Sequence, residues 1–212
     1  MEFTADQVWG AAVAADRING GYFKEDIFVL ENQCQKRTKE ANKTIVKGWL
    51  RTQDFAEVTE VDIAQGRAVR HFFNGLLLKE LSGKINSFER QALRIAQMEE
   101  FTGKNLLEFS LISCLPAAML REQDRKELDS EIRSSTQLEA AVGDTIVGDI
   151  DVYACSYNQD YNKFRVRARM GEAFIDFWFG ENLAKDSTVR IKGKVKSIRS
   201  DKTTQLNYVK RA

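Results

Sequence analysis

The sequence predicts an α+β protein, with a helical N-terminal domain over residues 1–136 and a small five-stranded β-barrel over residues 141–212. Two observations carry this. As far as Arg133, apolar residues recur at helical spacing between capping residues, and from Asp144 they alternate with polar ones at a period of two. The pattern changes around Ser134-Ser135-Thr136, and the boundary is placed there.

Thr4-Ala5-Asp6-Gln7 has the spacing of a capping box, in which residues one and four satisfy each other's backbone N–H groups. The helix it opens presents Val8, Ala11, Ala12 and Ala15, and Asn19-Gly20-Gly21 stops it. A second helical segment is read from Glu25 to Leu50 on Ile27, Leu30, Val46 and Leu50, with a break near Asn42. Thr59 caps a third, Val61 to Leu81, with Val69, Phe73, Leu76, Leu77 and Leu81 on its apolar face. Ser87 caps a fourth, Phe88 to Phe101. A fifth begins near Asn105. Pro116, the single proline, kinks it or opens a sixth at its first turn, where a missing N–H costs nothing.

The five strands are read as Asp144–Tyr153, Lys163–Met170, Glu172–Phe179, Ser187–Ile198 and Thr203–Lys210, with a polar loop over Ala154–Asn162. Five strands with a connector between the third and fourth is the count and spacing of an OB-like barrel. Gly148 and Gly193, each inside a strand, mark the bends or bulges that close so small a barrel.

Composition excludes several classes. The chain is 43% hydrophobic and 30% charged, which is too apolar for a disordered protein. The longest uncharged apolar stretch, Phe109 to Leu120, is too short for a bilayer and contains Ser110, Ser113 and Pro116. Met1 is followed by Glu2 and Asp6, so no secretory signal is expected. Cys34, Cys114 and Cys155 are odd in number and far apart, which suits a reducing cytoplasm and offers no zinc spacing. The lone His71 lies inside a helix and reads as a surface or half-buried residue. No P-loop and no two-metal carboxylate cluster is present, and Asp149 and Asp151 on one strand face read as a solvated pair. No cofactor and no enzyme activity are expected. Charge is uneven: residues 1–139 hold 19 Lys/Arg against 22 Asp/Glu, while 140–212 hold 13 against 9. A basic end beside an acidic body points to a polyanion at one end.

The residues that carry chemistry lie on the second and third barrel strands. Arg165, Arg167 and Arg169 alternate outward on one, and Phe174 and Trp178 on the other. Tyr153 extends this face, and Tyr157 and Tyr161 overhang it from the adjoining loop. Rings stack on unpaired bases and guanidinium groups neutralise phosphates, so the combination suits single strands, whose base faces are exposed. A duplex hides those faces. Lys192, Lys194 and Lys196 in the fourth strand are a further basic row, which serves binding or protects an edge.

The stretch Ser-Thr-Val-Arg-Ile-Lys-Gly-Lys-Val-Lys-Ser-Ile from Ser187, with Thr-Thr-Gln-Leu-Asn-Tyr-Val after it, resembles the last two strands of OB-fold nucleic-acid-binding domains. These occur in single-stranded DNA-binding and replication proteins, viral ones among them. The resemblance covers about a third of the chain. It implies binding on the face of strands two and three and the adjoining loops. Bacterial members end in an acidic tail, whereas this chain ends Tyr-Val-Lys-Arg-Ala. The expectation is a non-enzymatic protein that binds single-stranded DNA, or RNA, in replication, recombination or repair. Its helical domain is then for partner docking or self-association, with no membrane role. The rival expectations are a protein-interaction adaptor built on an OB-like barrel and a single-stranded RNA-binding regulator.

Overall fold

The structure, a computed structural model, describes residues 2–31 and 34–212. The chain forms two compact units, Met1–Asp124 and Arg125–Ala212. The second unit takes in the C-terminal turns of a helix, α7 (Leu115–Ser134), ahead of the change of pattern at Ser134. Among the described residues no helix is long and apolar enough to cross a membrane.

In the first unit a two-stranded ribbon, β1 (Glu2–Thr4) with β4 (Glu100–Thr102), leads into α1 (Ala5–Asn19). The capping box forms as its spacing predicts: Gln7 N–H donates to Thr4 Oγ1 at 3.3 Å and Thr4 N–H to Gln7 Oε1 at 3.0 Å. Gly20 ends the helix at φ 64°, a conformation that favours glycine. Val8, Trp9 and the alanines of α1 are all buried. Small side chains let other helices approach closely. A Cβ on Gly66 of α3 (Glu60–Asn74) would stand 2.8 Å from the backbone of Trp9 and Gly10, so only glycine permits this crossing. Arg17 then ties α1 to α3 through two 2.9 Å hydrogen bonds to buried Asp62.

The segment 25–50 is not helical throughout. It forms a hairpin, β2 (Ile27–Glu31) with β3 (Cys34–Lys39), and then α2 (Asn42–Thr52). The apolar members at 27 and 30 fit one helical turn, but so short an apolar run fits a strand equally well. The side chains of Leu30 and Cys34 lie outside the described residues. Asp26 accepts from Ala41 N–H at 2.7 Å and Thr44 Oγ1 at 3.1 Å, which caps α2 from across the hairpin. The third expected helix divides at Gly75 into α3 and α4 (Leu77–Leu81), leaving Leu77 and Leu81 exposed. Thr59 caps α3 as expected, with Asp62 as its partner. The cap of α5 (Ser87–Ala96) is Asn86, not Ser87, and residues 100–102 join the ribbon instead of extending that helix. After α6 (Leu106–Ile112), Pro116 sits in the first turn of α7. His71 is exposed on α3.

In the second unit β5 (Thr145–Asn158), β6 (Lys163–Met170), β7 (Ala173–Phe179), β8 (Thr188–Ile198) and β9 (Thr204–Arg211) close into a barrel. Its order is β5-β6-β7-β9-β8, with β7 and β9 parallel and every other neighbour antiparallel. This is compatible with an OB-like fold. Ile150, Val152, Val166, Ala168, Ile175, Phe177 and Leu206 fill the interior, and Leu183 of the 180–187 connector joins them. The first strand does not stop at Tyr153. It bulges between Val152 and Ala154 and runs on to Asn158, where it pairs with β6. The bulge foreseen at Gly193 is present, in the β8–β9 pairing. At Gly148 the register with β8 shows no bulge, and the Met170 side chain lies over it.

Candidate nucleic-acid interface

The β6–β7 hairpin places Arg165 opposite Trp178, Arg167 opposite Asp176 and Arg169 opposite Phe174. The five side chains expected to share one outward face therefore do share it. They do not form one open surface, because the face has three different environments along its length.

At one end the rings are covered. Phe174 is only 2% exposed and packs against Leu128 and Ile132 of α7. Tyr153 meets it edge to face, 5.8 Å between ring centres, and its hydroxyl donates to Glu131 at 3.0 Å. The expectation that Phe174 faces water is corrected here, and Tyr153 is drawn into the same seal. An amphipathic helix turn needs an apolar partner, and Phe174 at the start of β7 with Tyr153 of β5 supplies it. Arg169 pairs with Glu172 next to this end.

In the middle the charge is internally balanced. Arg165 Nη2 donates to Asp176 Oδ2 at 2.5 Å and its Nε at 3.1 Å, while Arg199 Nη1 reaches the same oxygen at 3.2 Å. Asp176 is 1% exposed. Its hydrogen bond holds the Arg165 guanidinium above its ordinary pKa, so this arginine stays charged but is committed. Arg167, half-buried beside them, has no ion-pair partner among the described residues.

The far end is open. Tyr161, from the β5–β6 loop, lies 5.1 Å from Trp178 between ring centres at 47°. Both line a groove of about 980 Å³ with Lys163, Lys196, Tyr208, Lys210 and Arg211. The groove follows from the topology. The β7–β9 pairing runs only from Ile175–Thr204 to Phe177–Leu206, whereas β9 continues along β8 to Arg211. Beyond Phe177 the two parallel strands have no ladder between them, and the groove lies there.

Tyr208 stands at its rim, 81% exposed, because β9 bulges. Lys192 pairs with Lys210 and Lys194 with Asn207, so Gly193 faces two residues, Tyr208 and Val209. Tyr208 takes φ 53°, a left-handed conformation that is uncommon for an aromatic residue and costs about 1–3 kcal/mol. Strict alternation after buried Leu206 would point Tyr208 inward. The bulge instead sends Val209 to the core and Tyr208 to water.

Lys163, Lys196 and Lys210 have no ion-pair partner among the described residues, whereas Arg211 pairs with Glu181 at 2.9 Å across the groove's edge. Lys192 and Lys194 are exposed but lie outside the groove. Tyr157 is exposed too, and it pairs with the Phe164 ring at 5.2 Å and donates to Asn162 at 2.7 Å. Asp149 pairs with Arg190, and Asp151 accepts from Thr188.

Comparison with protein-family models, curated proteins and solved structures gives no match. The site therefore rests on its own geometry. Of the residues singled out from sequence, Tyr161, Trp178 and Lys196 come together in the groove. Lys163, Tyr208, Lys210 and Arg211 join them, and sequence reading passed over all four. One signal was available for Tyr208, an aromatic in a polar strand facing the mid-strand Gly193.

Proposed function

We propose that the barrel binds single-stranded nucleic acid, DNA in the first instance, in the groove between the ends of β7 and β9, without chemistry of its own. Bases stack on Tyr161, Trp178 and Tyr208 while phosphates meet Lys163, Lys196 and Lys210. The observation that carries this reading is the convergence of two exposed rings, Tyr161 and Tyr208, the half-buried Trp178 and three uncommitted ammonium groups on one open groove. Stacking is worth about 1–3 kcal/mol per base and tolerates any sequence. The setting this implies is the handling of unpaired strands in replication, recombination or repair.

Fluorescence anisotropy with a labelled thymidine oligonucleotide and a matched duplex tests it. Binding to the single strand is expected to be micromolar or tighter. The slope of log K against log salt is expected near −2, from about 0.7 per phosphate for three lysines. Trp178→Ala is expected to weaken binding by roughly tenfold or more. Equal affinity for the duplex, or full affinity in Trp178→Ala with Tyr208→Ala, overturns the proposal and favours a protein-binding barrel.

A further inference from the structure

The first unit holds an open cavity of about 690 Å³, within the range of roughly 300–1,000 Å³ usual for small-molecule sites. Thr44, Lys47, Gly48 and Arg51 of α2 line it, and residues three and four apart share one helix face. Arg37 of β3 adds a third cation. Leu50, Leu106 and Phe109 give it an apolar side. Arg37 is already paired with Glu40, also in the lining, and with Asp26 at 3.4 Å. Lys47 and Arg51 have no ion-pair partner among the described residues. Segment 36–51 holds six Lys/Arg against one acid, inside a part of the chain that is acidic overall.

Gly48 gives this cavity its second, independent mark. A glycine inside a helix destabilises it, because an unfolded glycine has more freedom to lose. A Cβ at Gly48 would meet nothing within 4 Å, so no neighbour among the described residues requires glycine there. The same holds at Gly103, on another wall. Bare backbone does let a ligand approach more closely than any side chain would.

We infer that this cavity binds a nucleotide, with its phosphates on Lys47 and Arg51 and its base against Leu50, Leu106 and Phe109. Two uncommitted cations one helical turn apart, with Arg37 behind them, match a multiply charged group better than a single carboxylate. A free nucleotide and one nucleotide of a strand present the same chemistry. The inference does not depend on the barrel's groove.

Amide NMR spectra of the full chain, titrated separately with ATP, inorganic triphosphate and a thymidine oligonucleotide, test it. Gly48 and Gly103 report on the cavity and Gly180 on the groove. ATP, or the oligonucleotide alone, is expected to move Gly48 and Gly103; the first outcome identifies a free nucleotide and the second a strand. Trp178→Ala is expected to leave that response intact. Gly48→Ala is expected to weaken it by roughly tenfold while raising the thermal midpoint, a combination that a merely structural glycine does not produce. Lys47→Ala/Arg51→Ala is expected to abolish it with the rest of the spectrum unchanged. Silence at Gly48 and Gly103 with every probe, unaltered binding in these variants, or a response to inorganic triphosphate equal to that with ATP overturns the inference.

Discussion

Arg165 and Asp176 meet through two good hydrogen bonds on the outer face of the barrel, 2.5 and 3.1 Å long, and this pair closes the middle of that face to a ligand. Asp176 is buried and also receives Arg199, so it neutralises the cations around it. Asp176→Ala strands Arg165 and Arg199 beside each other. A loss of about 2 kcal/mol in unfolding free energy is expected by denaturant titration, less than for a fully buried pair because both arginines are partly solvated. Oligonucleotide affinity is expected to rise, since two guanidinium groups become available. Unchanged affinity with the fold intact would argue that this face takes no part in attracting a strand.

Tyr208 combines a left-handed backbone with a ring that meets water. Tyr208→Asn places a residue that tolerates the left-handed region at φ 53° and removes a ring that is 81% exposed. Thermal unfolding is expected to show stability unchanged or raised by up to about 1 kcal/mol. Oligonucleotide affinity is expected to fall by about 1–3 kcal/mol. A variant that loses stability and keeps its affinity would show the ring to be structural.

Among the described residues Glu181 is the one acid lining the groove, and it holds Arg211 at 2.9 Å. Both are well exposed, so the pair contributes little to stability. Glu181→Gln is expected to leave the thermal midpoint within experimental error, tighten single-strand binding a few-fold and steepen the salt slope by about 0.7, one further phosphate contact. An unchanged slope would place Arg211 outside the binding path.

Asp62 makes the first unit sensitive to acid. Burial raises its carboxyl, but hydrogen bonds from Arg17, Thr59 N–H and Thr59 Oγ1 outweigh this and hold it below the usual carboxylate range. A folded-state pKa below the unfolded value means that the stabilisation is complete above the unfolded value, about 4. It is lost as pH falls through the lowered folded-state value. Thermal midpoints between neutral and strongly acid pH are expected to fall less steeply below that point in Asp62→Asn than in the parent, from a lower start. Parallel curves would exclude Asp62 as a contributor.

Much of the architecture was legible in the sequence. The capping box at Thr4, the cap at Thr59, the stop at Gly20, the place of Pro116 and the limits of β6 are local features, decided within one or two turns of chain. The hairpin at 27–39 was misread as helix because a short apolar run has no period of its own, and its partner strand lacks an apolar stripe. The β6–β7 face was legible as a neighbourhood, since alternation fixes which side chains point the same way. Its environments were not legible, because Leu128, Ile132 and Arg199 reach it from distant parts of the sequence.

By itself, then, the sequence determined the capped helix starts, the five barrel strands and the alternation that puts arginines and rings on one side of a hairpin, since these depend on capping and on a period of two. Only the tertiary structure decided which rings meet water. That follows from an α7 turn sealing Phe174, from Asp176 collecting two arginines, and from a two-for-one bulge turning Tyr208 outward while β7 and β9 part. Each of these is a contact or register between segments far apart in the chain, and no local pattern encodes it.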